Sequence, residues 1–108
     1  MRVENMTSAR GNKVVNQFII IEGNTITFQS YNSRVCEIVK PCGMGYDILV
    51  RFGRDWNYSQ TTSKHLYNFL RQNGLAMLAS KKAIEDAIER EHVRDDEAIA
   101  VMYDNNMR

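Results

Sequence analysis

A chain of 108 residues has room for one domain, and 44% hydrophobic with 25% charged residues describes a folded protein rather than a disordered one. Fourteen Lys and Arg against thirteen Asp and Glu leave a net charge of +1, so the excess of cations with which duplex-binding proteins displace counterions is missing. The longest apolar run, Phe18 to Ile21, falls far short of the ~20 residues of a membrane span, and no apolar leader stands at the N-terminus.

Residues 1–13 are polar, contain Gly11 and Asn12, and read as a flexible arm. They contribute no pattern, so Met6 is as good a natural start as Met1. A strand is predicted over Val14–Glu22, where Phe18-Ile19-Ile20-Ile21 is rich in β-branched residues. Gly23-Asn24 closes a tight hairpin into a second strand, Thr25–Tyr31. There Ile26 and Phe28 face one side, while Thr25, Thr27, Gln29 and Tyr31 face the other. Asn32-Ser33 turns the chain into a third strand, Arg34–Lys40, and the breaker Pro41-Cys42-Gly43-Met44-Gly45 leads to a fourth, Tyr46–Phe52.

Helical signals follow. Thr61, Thr62 and Ser63 are candidate N-caps for a helix carrying Leu66, Phe69 and Leu70 on one stripe and ending at Asn73-Gly74. A second helix from Ser80 places Ala83, Ile84, Ala87 and Ile88 on one side and offers Lys81–Glu85 and Asp86–Arg90 pairs on the other. A third, shorter helix is predicted from Asp95 or Asp96, using Ile99, Met102 and Tyr103. The expected fold is therefore α+β. A four-stranded antiparallel meander over residues 14–59 is followed by two or three helices in 60–108 that cover its apolar face, all in one domain.

Four constellations bear on chemistry. Cys36, Cys42, His65 and His92 are all the Cys and His residues, and their spacing lacks the close ligand pairs of a compact zinc site. Cys36 reads as a small buried hydrophobe, and no metal or other cofactor is expected. Without a leader, both thiols are expected to stay reduced in a cytoplasm. A Cys42–His65 nucleophilic pair can be imagined, but no third group orients it, and the acidic clusters Glu85-Asp86 and Asp95-Asp96-Glu97 fall at solvent or helix-start positions. An enzyme is the least supported class.

Arg51, Arg54, Trp56, Tyr58 and Lys64 gather near the first helix start, where free amides suit an anion and aromatics suit stacking on bases. Packing of Trp56 and Tyr58 between sheet and helix is the simpler reading of the same residues. The fourth constellation is the polar and aromatic stripe Thr25, Thr27, Gln29 and Tyr31, suited to a protein interface; a free sheet edge would also allow a homo-oligomer.

Asn16-Gln17-Phe18, Phe28-Gln29-Ser30-Tyr31-Asn32-Ser33, and Trp56-Asn57-Tyr58-Ser59-Gln60-Thr61-Thr62-Ser63-Lys64 with Phe69-Leu70 resemble a family of short proteins carried by phages and prophages of Gram-positive bacteria. The resemblance spans about residues 10–73 and implies no reaction, cofactor or catalytic residue. It implies a small accessory protein that binds a host or defence-system protein in the host cytoplasm. A small nucleotide- or nucleic-acid-binding module using Arg51, Arg54, Trp56 and Lys64 is the alternative.

Overall fold

The computed structural model describes residues 1–8, 10–43 and 45–108. Among them lie one seven-stranded sheet and two α-helices, an α+β architecture. The strands are β1 (Arg2–Thr7), β2 (Lys13–Glu22), β3 (Thr25–Ser30), β4 (Ser33–Val39), β5 (Ile48–Gly53), β6 (His92–Val93) and β7 (Asp96–Asp104). The helices are α1 (Gln60–Gln72) and α2 (Lys81–Arg90), with a 3-10 turn at Ala76–Leu78 between them. Spatial order is β1-β2-β3-β4-β5-β7-β6. The first five strands form an antiparallel meander, whereas β7 lies parallel to β5. A parallel neighbour needs a crossover, and the segment containing both helices supplies it.

Two expectations are corrected here. The polar N-terminal segment is no loose arm: Arg2–Asn5 pair with Phe18–Ile21, and Met6 is buried to 1% exposure. The Thr7 carbonyl also accepts from Asn68 Nδ2 and Gln72 Nε2 of α1. The apolar edge of β2 is a template that a polar segment can join through its backbone alone, which leaves no hydrophobic pattern to read. The predicted third helix is instead β7. Ile99, Met102 and Tyr103 sit at helical spacing, but Ile99 and Val101 also sit at strand spacing. The open side of β5 decides between them by pairing Ile48 with Ile99 and Val50 with Val101. Residues 60–108 are therefore mixed rather than helical.

Both helices pack on one face of the sheet. Phe28, Cys36 and Phe52 lie in one cross-strand row on that face; Ile26, Ile38, Val50 and Val101 lie in the next. Leu66, Phe69 and Leu70 of α1 roof them, each with no exposed surface, and the Phe28 and Phe69 rings stack at 5.6 Å. The other face carries no helix. Its central row is Val3, Ile20, Thr27, Glu37, Arg51 and Met102. Apolar and charged side chains share it, and Arg51 sits between Glu37 (3.5 Å) and Asp104 (3.9 Å).

Gly53 closes β5 against two backbones. A Cβ there would stand 2.6 Å from the Arg34 carbonyl oxygen and 2.7 Å from that of Met107. Neither backbone can rotate away as a side-chain end would. Gly53→Ala is therefore expected to lower stability by about 1–3 kcal/mol in urea unfolding, without changing the slope.

Candidate functional site: a hydroxyl-lined pocket between two tyrosines

β3 stops at Ser30, one residue earlier than predicted, because Tyr31 turns into the left-handed region at φ 54°. A bulky residue seldom adopts this conformation, and it persists only where neighbours hold it. Here the Tyr31 amide donates to the Asn16 carbonyl at 2.7 Å, and Gln29 Nε2 donates to the Tyr31 carbonyl at 2.8 Å. The ring is left exposed at the β3–β4 turn.

The second wall comes from the segment joining β5 to α1. Ser59, not Thr61, Thr62 or Ser63, caps α1: its Oγ accepts from the Thr62 amide at 3.1 Å. The Thr62 hydroxyl turns inward, 3.1 Å from Ser59 Oγ and 3.4 Å from the buried Ser30 Oγ. Ser33 Oγ donates to Asp55 Oδ2 at 2.8 Å, and Arg54 Nε donates to Asp55 Oδ1 at 3.2 Å. These two bonds, Arg54's first, hold the Asp55 carboxyl below its usual range. The resulting cavity, about 360 Å³, is lined by Ser30, Tyr31, Asn32, Ser33, Val35, Asp55, Tyr58, Ser59 and Thr62.

The nominated residues thus part company. Tyr31 and Tyr58 stand at this one cavity, 58% and 80% exposed. Arg54 reaches it only through Asp55. Trp56 does not line the cavity; it is 8% exposed and its ring lies 6.1 Å from that of Phe52, so it is a packing residue and not a stacking platform. Tyr58 does the opposite of what packing between sheet and helix would require. Gln29 is half-buried and donates to the Tyr31 carbonyl, and Thr27 of the predicted stripe is buried. Arg51 belongs to the bare sheet face, and Lys64 lines a separate groove beside α1. Sequence reasoning misses Ser30, Ser33, Asp55 and Ser59, and takes Thr62 only as one of three hydroxyls at the helix start. The doubling of hydroxyls in 30–33 and 59–63 is the signal that could have drawn attention to them.

The Ser33–Asp55 bond ties the β3–β4 turn to the segment before α1. The pocket sets mixed donors and acceptors beside two exposed rings. Tyr supplies contact area at low entropy cost, and Ser and Asn supply adaptable hydrogen bonds.

A model of a family of unknown function (DUF8033) matches residues 1–86, from β1 into α2, and so includes every residue lining the pocket. The chain belongs to that family. No curated protein and no solved structure matches it.

The thiols lie away from the pocket. Cys36 is fully buried in β4, and burial pushes its thiol well above the ordinary range. Cys42, partly exposed in the β4–β5 loop, ties its amide to the Asp47 carbonyl and makes no hydrogen bond to His65. Among the described residues no group of three or more Cys, His, Asp or Glu could hold a metal ion. A small disulfide reagent is expected to titrate Cys42 in the native protein and Cys36 only after unfolding, so two rapid equivalents would contradict the packing of β4. No helix among the described residues is long and apolar enough to cross a membrane.

Proposed function

We propose that this chain is a non-enzymatic accessory protein of a phage or prophage, acting in the host cytoplasm by binding a host or defence-system protein. The observation that carries the reading is the pair of exposed rings, Tyr31 and Tyr58, on either side of a cavity whose floor is fixed by buried hydroxyls. Tyr31 opens the two-residue turn between the paired Ser30 and Ser33, where a positive φ fits the twist of the hairpin, and its ring is carried outward at that turn. Support for the mobile-element setting comes from the resemblance of the Phe28–Ser33 and Trp56–Lys64 tracts, and both tracts supply walls of the pocket.

Affinity capture from a Gram-positive host lysate tests the proposal. The native protein should retain a specific protein, and the Tyr31→Asn/Tyr58→Ala variant should lose it about a hundredfold, as expected for two central aromatic anchors. Asn suits the left-handed position, so this variant should remain folded. Equal capture by the variant, or recovery of nucleic acid with no specific protein, would overturn the reading.

A further inference from the structure

On the other side of Ser59 from the pocket runs a wider groove of about 580 Å³, lined by Asn57, Ser59, Gln60, Ser63, Lys64, Tyr67, Arg71 and Lys81. We propose that this groove binds single-stranded nucleic acid, with Lys64, Arg71 and Lys81 on phosphates and the Tyr67 ring against a base. The proposal is independent of the protein partner inferred above.

Three observations carry it. First, the charge is one-sided: three cations line the groove with no carboxylate, in a protein whose net charge is only +1. Among the described residues none of the three joins an ion pair. Lys81 is spaced for Glu85, but that pair does not close, which leaves the ammonium to the groove. Next door, His65 is held below its ordinary pKa by burial first and then by the Lys64 charge.

Second, the cations are spread out. Lys64, Tyr67 and Arg71 occupy one stripe of α1, and seven residues of helix separate the two charges by about 10 Å along the axis. A single phosphate cannot satisfy both ends of such a stripe. An extended ligand with repeated anionic groups can.

Third, an aromatic ring sits between the cations. Tyr67 is half-buried: it packs against the core and also lines the groove. A cation, a ring and a cation in sequence match the phosphate, base and phosphate of an extended strand, where stacking is tolerant of sequence. An acidic peptide would use the charges but has no repeated flat group for the ring.

Fluorescence anisotropy of a labelled oligothymidylate is the test. Binding is expected at low salt, with log K falling against log salt at a slope of about −2, for three phosphate contacts at ~0.7 each. Lys64→Glu, Arg71→Glu and Lys81→Glu should each weaken it about tenfold, while Lys40→Glu, beyond the far end of β4, should not. Tyr67→Leu preserves the apolar packing and should still weaken binding about fivefold or more through lost stacking. No binding at low salt, an equal loss in Lys40→Glu, or oligoglutamate binding as tightly as the oligonucleotide would each overturn the proposal. So would a Tyr67→Leu variant that folds and binds like the native protein.

Discussion

Val101→Asp should cost about 4 kcal/mol or more, while Met102→Asp, one residue further along, should cost about 1 kcal/mol or less. Val101 is 3% exposed in the row with Ile38 and Val50, beneath the helices. A carboxylate there must ionise without water or be protonated at neutral pH. Burial that raises its pKa by about three units costs about 4 kcal/mol, a large share of the ~5–15 kcal/mol that stabilises a domain. Met102 is 46% exposed on the bare face, opposite Arg51. The contrast bears on β7 specifically. A helix built on Ile99, Met102 and Tyr103 predicts the reverse order, with Met102→Asp the damaging change. Urea unfolding of the two variants separates the alternatives.

Phe69→Ala should cost about 3–5 kcal/mol. Phe69 has no exposed surface, and its ring stacks on Phe28 at 5.6 Å with 27° between the planes. Removing it deletes the transfer energy of the ring, opens a cavity and forfeits an aromatic pair that contributes roughly 0.5–1.5 kcal/mol beyond burial. Phe69→Leu refills much of that space and should recover more than half of the loss, with an unchanged denaturant slope. The helix matters to the site because Thr62, two turns earlier on α1, carries the hydroxyl that meets Ser30 under the pocket.

Local signals served the sequence reading well wherever they settled the structure. The hairpin at Gly23-Asn24, the inward side of Ile26 and Phe28 on β3, the Leu66/Phe69/Leu70 stripe and the helix start at Ser80 are all decided within a few residues, and all are found in the structure. The failures are non-local. β1 is held by a strand pattern that belongs to β2, and β7 by the vacancy beside β5, neither of which its own residues announce. The pocket was half legible. Tyr31 and Tyr58 could be nominated from composition, but their meeting depends on Tyr31 leaving the strand, and that depends on the Asn16 carbonyl fifteen residues away. Arg51 and Arg54 are close in the chain, yet one points to the bare sheet face and the other to Asp55. Proximity in sequence could not separate them.

Where a partner touches the protein decides between the pocket and the helix-free sheet face. Amide chemical shifts of the isotope-labelled chain, recorded as the captured protein is added, should move first at Tyr31, Asn32 and Ser33 and at Tyr58 and Ser59, the two walls of the pocket. Shifts confined to Ile20, Thr27, Glu37 and Arg51 on the helix-free face would contradict the pocket's role, and would move the recognition surface to the opposite side of the sheet.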